Sequence, residues 1–231
     1  MKLLDLALAE PAANLPLDES LLLEAEEGHG GEVLRLWEAP SYAVIVGAGG
    51  SVAIDVNTAR CEADEVSVLR RASGGGTVLV GPGCLCFTLV LRTDRAPGLD
   101  LIQPSTRYVL GRTLQAIHPL IPGASLEGTS DLVVNGVKFS GNAQQRKRKF
   151  FLHHGTLLAG FDLEQVPRYL KGPERQPEYR RGRPHTEFLM NLPTTVAELK
   201  RLLIAEWRPE GEYGPAPMER VRVLIDEKYG R

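Results

Sequence analysis

The dipeptide Asn135-Gly136 lies between two short runs of β-prone residues, 131–134 and 137–140. Asn-Gly readily adopts the two positive φ angles of a type I′ turn, whose twist matches that of the flanking strands. The sequence therefore predicts a tight antiparallel hairpin here. Because such hairpins are foreign to a purely parallel sheet, we expect an α/β fold of the α+β type, a mixed β-sheet with flanking helices.

Hydrophobic patterning predicts the other elements. Predicted strands cover residues 33–37, 42–46, 66–69, 78–80, 86–91 and 150–158. A first helix is expected to start with Asn14 as its cap and to end at Gly28. Further helices are predicted over 104–117, 162–170, 195–207 and 218–228. The stretch 172–184 is rich in Pro, Gly, Arg and Glu, which predicts an exposed, mobile loop.

The composition argues against several classes of protein. With 231 residues and a formal charge of -2, the chain lacks the strongly basic domain of a nucleic-acid-binding protein. No apolar stretch is long enough to cross a membrane. The start, residues 1–5, carries an early acid and no cleavage site typical of a signal peptide. Three irregularly spaced cysteines favour a reducing compartment, so we expect a cytoplasmic protein.

The run Arg70-Arg71-Ala72-Ser73-Gly74-Gly75-Gly76-Thr77 is the strongest candidate for a ligand site. Consecutive glycines allow the backbone N–H groups to approach an anion, and the two preceding arginines suit a phosphate or a carboxylate. A flexible surface loop would explain the glycines equally well. A second run, 47–50, is not a dinucleotide fingerprint, because Val52 occupies the position of the third glycine. A loop that lines a ligand cleft is the preferred interpretation of it.

Two further segments carry side chains with possible chemistry. Lys138 follows the hairpin turn and precedes the small residues of 140–143, which suggests a ligand-facing surface rather than a solvated edge lysine. His153 and His154 are adjacent in a predicted strand, so only one of them can point into a given cleft. A lone histidine is more often structural than catalytic.

Two basic runs are interpreted as solvated loops, or alternatively as a docking surface for an acidic partner. The first covers residues 146–149, and the second comprises Arg175, Arg180, Arg181 and Arg183. The pair Cys84 and Cys86 is interpreted as two small apolar residues of a strand, because no second pair completes a zinc site.

In order, these stretches resemble the lipoate–protein ligase A family of the biotin and lipoate protein ligase superfamily. The resemblance covers roughly residues 1–192. It rests on the ordered set Arg70-Arg71-x-Ser73-Gly74-Gly75-Gly76, Cys86-Phe87-Thr88, Ser130-Asp131-Leu132, Lys138-x-Ser140-Gly141-x-Ala143 and His153-His154-Gly155-Thr156-Leu157-Leu158. An ordered set of this kind is more specific than any one of its motifs.

The resemblance implies a catalytic domain over 1–192 with a short helical extension, 193–231, packed on it. It implies activation of lipoate, or octanoate, by ATP with Mg²⁺, then transfer of the acyl group to a lysine of an acidic lipoyl carrier domain. That carrier would be of the 2-oxoacid dehydrogenase E2 type or the glycine cleavage H protein type, with a separate accessory subunit as a further possible partner. Nucleic acid and membrane are not expected partners.

The resemblance also implies roles for individual residues. The lysine matching Lys138 is the catalytic residue, near the acyl carbonyl and the phosphate. No metal ligand is predicted in the chain itself. The expected substrate-binding residues are Arg71, Ser73, Gly74, Gly75, Gly76, Thr77, Val78, Asp131, Ser140, Gly141, Ala143, His154, Gly155 and Thr156.

The chain departs from the family before the hairpin, where the family's Asn-Asp reads Ser130-Asp131, and after the glycine run. Where the family follows its glycines with a His-Asp pair, this sequence has Val80-Gly81. Two alternatives therefore stay open. One is an octanoyl or lipoyl transferase of the same superfamily, for which Cys84 or Cys86 would have to serve as nucleophile. The other is a non-catalytic ligand-binding homologue.

Overall fold

The computed structural model describes residues 1–172 and 176–229. Within these ranges the strands are Lys2–Asp5 (β1), Val33–Glu38 (β2), Ala43–Val46 (β3), Ser67–Arg70 (β4), Val78–Val80 (β5), Cys84–Arg92 (β6), Ser125–Glu127 (β7), Asp131–Val134 (β8), Val137–Arg146 (β9) and Phe150–Leu158 (β10).

The helices of the described ranges are Pro11–Glu27 (α1), Val52–Asp55 (α2), Thr58–Ala63 (α3), Ile102–Ile117 (α4), Gln165–Tyr169 (α5), His185–Phe188 (α6), Val196–Trp207 (α7) and Met218–Leu224 (α8). A 3₁₀ turn covers Glu178–Arg180, and a π-helical turn at Ile225–Tyr229 follows α8. None of the helices in the described ranges combines the length and apolar character needed to traverse a bilayer.

The strands form two sheets. The larger has the order β1-β2-β6-β10-β9-β8-β7, in which only β1 and β2 run parallel. The smaller has the order β4-β3-β5, with β3 parallel to β4 and antiparallel to β5. The predicted mixed sheet with flanking helices is therefore confirmed.

The large sheet has two differently covered faces. Alternate residues of β6, among them Phe87 and Leu89, pack with α4 and α7 in one core. Residues of the opposite parity pack against the small sheet at Cys86 and against α1 at Val90. This alternation follows from the two-residue period of a strand. The face toward α1 and the small sheet carries most of the candidate site.

The central hairpin forms as predicted. Asn135 and Gly136 have φ angles of 50° and 72°, and Val134 pairs with Val137. A bulge between Leu132 and Val133 shifts the register further along the pair. Thr195 caps α7 by accepting a hydrogen bond from the backbone N–H of Glu198, as its sequence predicts.

The prediction that Asn14 caps the first helix is wrong. The helix begins at Pro11, so Asn14 lies inside it, fully buried. The Asn14 side chain instead bonds both backbone groups of Leu8 and accepts from Arg35. Leu8 lies before the start of the helix and Arg35 is 21 positions from Asn14, so rules that consider only the first residues of a helix choose the wrong position.

The predicted loop over 172–184 is only partly exposed. Arg180 is buried, because its guanidinium lies over the ring of Phe188 at 4.7 Å. Residues 173–175, including Arg175 of the second basic run, lie outside the described residues. The expectation of an exposed loop is therefore wrong at Arg180.

Candidate functional site

The Lys138 amine lies beside a carboxylate at the start of β9. Its Nζ is 2.7 Å from Asp131 Oδ1, and both side chains are largely buried, with 21% and 16% exposed. The other oxygen of Asp131 accepts a hydrogen bond of 2.6 Å from the hydroxyl of Tyr179. The Lys138 chain runs across Gly141, where an added Cβ would lie 3.1 Å from Nζ. Gly141 thus leaves the space that the lysine occupies.

Arg71 holds the glycine run in place through its carbonyl groups. Its guanidinium donates to the backbone oxygens of Ile45, Gly74 and Gly76. It is buried, and burial lowers its pKa to about 10, so it remains a cation near neutral pH. With the carbonyls turned toward Arg71, the N–H groups of Gly74, Gly75 and Gly76 donate no hydrogen bond to the described part of the chain. A row of free amides of this kind can bind an anion.

The two glycine runs pack directly against each other. A Cβ on Gly47 would lie 2.0 Å from the carbonyl oxygen of Gly75, so only glycine fits there. Gly75 has φ 90°, which also favours glycine. Arg70 donates to the carbonyl oxygens of Gly47 and Gly50. The loop over 47–50 therefore supports the run over 73–76.

A hydrogen-bonded chain links the glycine run to the buried face of the sheet. Arg71 Nε donates to Ser73 Oγ at 3.0 Å, and Ser73 Oγ lies 2.6 Å from His154 Nε2. The other ring nitrogen of His154 faces Asp18 Oδ2 at 3.7 Å. This order suits a serine that donates to Nε2 and a histidine whose proton sits on Nδ1.

Asp18 is part of a buried ion pair beneath helix α1. Its Oδ1 lies 2.5 Å from Arg35, and its Oδ2 accepts from Thr88 at 2.8 Å. Burial raises the pKa of Asp18, but the charge of Arg35 and the donor group of His154 outweigh it and lower the pKa overall. Asp18 is therefore ionised near neutral pH and fixes the orientation of His154.

The lysine cluster and the glycine run share one face of β9. Ala143 pairs with His154 on the neighbouring strand. A Cβ built on Gly75 would lie 3.8 Å from the Cβ of Ala143. Gly141, beneath Lys138, is two residues earlier on the same strand, or about 7 Å away. The amine of Lys138, the amides of the glycine run and His154 therefore lie close enough together to contact one small molecule.

Some predicted substrate-binding residues lie elsewhere. A Cβ on Gly155 would meet Asn142 and Phe87, so Gly155 faces the side of the sheet that α4 and α7 cover. The buried Ser140 hydroxyl accepts from the same Asn142. Thr77 donates to Asp55 of α2, at the edge of the glycine run. Val78 opens β5, and Thr156 shares the strand face of His154 at a half-buried position. Substrate contacts at these positions stay predictions.

Sequence reasoning missed four residues around the candidate site. Tyr179 comes from the segment 172–184, which the sequence predicts to be a loop, and His185 follows directly after it. Asp18 and Arg35 form their pair across 17 positions. His185 packs near Lys138, and its pKa falls to about 4 because of burial and the charges of Arg180 and Lys138. The Tyr-Arg run of 179–181 was the available signal, read only as a basic surface.

The cysteines are not placed to act as nucleophiles. Cys84 and Cys86 are both fully enclosed in β6. The pKa of Cys86 is raised well above its ordinary value by the hydrogen bond with Cys84, by burial and by charge repulsion from Cys84 and Asp18. A thiol that stays protonated and inaccessible does not attack an acyl donor.

The first basic run is only partly a free surface. Arg146 donates to the backbone oxygen of Leu99 and to Ser105, and it stacks over Phe151 at 5.0 Å. Residues 147–149 are exposed at the turn between β9 and β10. Interpreting Arg146 as part of a solvated loop is therefore wrong, and a docking surface here would rest on residues 147–149.

Comparison with known proteins gives a consistent family. The family described as "Lipoyl protein ligase A/B catalytic domain" matches residues 10–208. A probable lipoate-protein ligase A of Mycoplasma pneumoniae is 32% identical over 160 residues, which are 69% of this chain and 46% of that protein. The chain thus spans about half the length of this curated relative.

Two solved structures share the fold. A structure of a bi-partite lipoate protein ligase and its E2 lipoyl domain from Thermoplasma acidophilum has a TM-score of 0.82 at 21% identity, covering 100% of this chain and 93% of that one. A lipoate-protein ligase A crystallised with ATP has a TM-score of 0.80 at 22% identity, covering 100% and 96%. The resemblance seen in the sequence is confirmed, and the chain belongs to the lipoyl protein ligase A/B catalytic domain family.

Proposed function

We propose that this chain is a lipoate–protein ligase catalytic unit. It would activate lipoate, or octanoate, with ATP to the acyl adenylate and transfer the acyl group to a lysine of a lipoyl carrier domain. The observation that carries this proposal is the Lys138 amine, held by Asp131 on the strand face that also carries the free amides of the glycine run.

Acyl transfer from an adenylate builds negative charge on the carbonyl oxygen and on the departing phosphate. A cation fixed between them stabilises the transition state more than the ground state. Lys138 supplies that cation. The amides of 74–76, aligned by Arg71, suit the phosphate or the carboxylate. His154, bonded to Ser73, lies beside the same amides, where it keeps the glycine run attached to the sheet.

The residues present suit ATP with Mg²⁺. Mg²⁺ in nucleotide sites takes one or two carboxylates and otherwise binds phosphate and water. Asp55, beside Thr77 at the edge of the glycine run, is a carboxylate that could hold such an ion, which would neutralise phosphate charge. The Glu24, Glu27 and His29 group lies apart from Lys138 and is engaged by Arg220, so we assign it no such role.

The proposed acceptor is an acidic lipoyl domain of the E2 or H-protein type, and a separate accessory subunit could complete the enzyme. A solved structure of the same fold is described as a bi-partite lipoate protein ligase and its E2 lipoyl domain. The three buried cysteines, each unpaired, are consistent with the reducing cytoplasm as the site of action.

The test is incubation with lipoate, ATP and a lipoyl domain, read by intact-protein mass spectrometry. A mass gain on the acceptor that requires ATP supports the ligase. A gain only from an acylated carrier donor would show a transferase instead. No gain despite measurable binding of lipoate would show a binding homologue, as the Val80-Gly81 departure allows.

A further inference from the structure

One carboxylate, Asp131, is shared by two donors from different parts of the chain. Lys138 on β9 approaches Oδ1 at 2.7 Å, and Tyr179 on the 3₁₀ turn donates to Oδ2 at 2.6 Å. Burial, followed by the hydrogen bond with Asp131, raises the pKa of Tyr179, so its hydroxyl keeps its proton near neutral pH. Tyr179 therefore acts as a permanent donor to this oxygen.

The Tyr179 ring is held by its own packing rather than by Asp131. Its centroid lies 5.4 Å from that of Phe188, and an added Cβ on Gly128 would contact the ring at 3.5 Å. Phe188 is buried and also carries Arg180 over its ring. Removing the hydroxyl alone would leave this packing in place.

The segment that carries Tyr179 is attached to the hairpin at two places. Met190 donates its backbone N–H to the carbonyl oxygen of Lys138 at 2.9 Å. Arg183 donates to the carbonyl oxygen of Gly136, in the turn itself, at 2.7 Å. The backbone of the lysine and the segment of the tyrosine thus form one unit, which fixes the distance between Tyr179 and Asp131.

The occupied oxygen limits how strongly Asp131 can hold the lysine. When both oxygens of a carboxylate are free, an ammonium group can bind to one oxygen or to both. Each such charge-assisted hydrogen bond is about twice as strong as a neutral one. A hydroxyl on Oδ2 draws charge from the carboxylate and leaves one oxygen facing the amine. Lys138 is then oriented by Asp131 but can still turn toward a substrate oxygen.

We propose that Tyr179 is a positioning residue for Lys138, acting through Asp131. It keeps the carboxylate in one orientation and weakens its hold, so that the amine is aimed into the cleft and available to the developing negative charge. This inference rests on the proposed ligase function for its kinetic consequence, although the effect on the amine itself does not depend on it.

The kinetic test compares Tyr179→Phe with the parent in transfer from preformed lipoyl-AMP to a lipoyl domain. We expect kcat to fall about tenfold, equivalent to about 1.4 kcal/mol in the barrier, with KM for lipoyl-AMP unchanged. Tyr108→Phe is the matched control, since its hydroxyl bonds Arg95 on the α4 side of the sheet. It should lose no kcat.

A double-mutant cycle asks whether Tyr179 acts through Asp131. Added to Asp131→Asn, Tyr179→Phe should have no further effect on kcat, because the carboxylate it tunes is gone. Additive losses would overturn the proposal, as would an unchanged kcat in the single variant. A KM increase with unchanged kcat would assign Tyr179 to direct binding and likewise overturn it.

A second readout needs no enzymatic activity. The rate at which Lys138 is modified by an amine-reactive ester, read by peptide mass spectrometry, reports how freely the amine is released. We expect slower modification in Tyr179→Phe and faster modification in Asp131→Asn. If the parent transfers no acyl group, the ligase proposal fails, while this rate still decides the role of Tyr179: equal rates in all three proteins would overturn it.

Discussion

The single residue on which the candidate site depends, Lys138, sits in a locally cationic environment. Burial and the charges of Arg180 and Lys138 lower the pKa of His185 to about 4, which leaves that ring neutral near pH 7. Asp131 is the carboxylate that pairs with Lys138. The amine is therefore paired with one carboxylate, and the neutral ring of His185 adds no second positive charge to it.

We predict that Lys138→Ala abolishes acyl transfer, by about 100-fold or more in kcat, while the free energy of unfolding changes by less than about 1 kcal/mol. The charge removed is the one needed in the transition state, and Asp131 keeps its Tyr179 bond. Lys138→Arg should fail as well, because the space over Gly141 is already filled and a planar fork does not replace an ammonium. Transfer retained in a well-folded Lys138→Ala protein would contradict the assignment.

The neighbouring histidines differ in their response to pH. His153 is fully buried against Phe87, and its pKa falls to about 3 because of burial and the nearby His154. In the unfolded chain this ring takes up a proton below pH 6.5. In the folded chain it stays neutral down to about pH 3. Its contribution to stability is therefore lost as the pH falls from 6.5 toward 3.

For His153 we expect a loss of about 2 kcal/mol of unfolding free energy between pH 7 and pH 5. Urea denaturation at both pH values should show this loss in the parent and in His118→Gln, an exposed control. His153→Leu should lack it, since no proton is taken up on unfolding. An identical pH dependence in His153→Leu would show that His153 titrates normally in the fold.

At the scale of elements, the two glycine runs form two layers of backbone in direct contact. Gly47 touches Gly75, Arg70 bonds the first run, and Arg71 bonds the second. Both arginines bond backbone carbonyl oxygens of these runs, and contact of Arg71 with a ligand stays a prediction. The amides of 74–76 donate no hydrogen bond within the described part of the chain, so they are free to meet a ligand.

Gly47→Ala tests this contact. We expect it to weaken ATP or lipoate binding at least tenfold and to cost about 1–3 kcal/mol of stability, because its Cβ would overlap the oxygen of Gly75. Gly49→Ala is the control, with no atom within 4 Å of the added carbon. Calorimetric titration and thermal melts measure both effects. Equal affinities in the two variants would mean that the runs do not bind the ligand as a unit.

Local patterns predicted the elements better than they predicted the site. The Asn135-Gly136 turn and the strand over 150–158 have signals within a few residues, and both are found. The edge strands β1 and β7 contain no β-branched or aromatic residue, so they lack the composition that marks the other short strands. Tyr179 escaped prediction because its partner Asp131 is 48 positions away and only the tertiary fold brings them together.

At the scale of the whole molecule, the exposed basic turn lies far from the amine. Between Lys138 and residues 147–149, β9 spans roughly 30 Å. This distance separates the turn from any bound adenylate, but it is comparable to the size of a small domain. The turn is thus suited to a protein partner rather than to the small molecule.

Reversing Lys147 and Arg148 to Glu should lower kcat/KM for an acidic acceptor domain without changing adenylate formation. Such charges mainly raise the association rate, so the defect should shrink at high salt. Arg107→Glu, at an exposed position on α4, is the control for a change in net charge. Equal losses in both half-reactions would place the turn at the small-molecule site, and no loss would make it a solvated turn.

The first strand is also bound by the last part of the described chain. Leu3 donates its N–H to the carbonyl oxygen of Gly211 and accepts from the N–H of Tyr213, while Glu210 donates to Met1. During synthesis at 5–20 residues per second, about 10–40 s separate the emergence of these partners. Strand β1 is thus paired on this edge only after residues 210–213 have been made, and until then that edge is exposed. During that interval β1 would be a target for a chaperone that recognises unpaired strand edges.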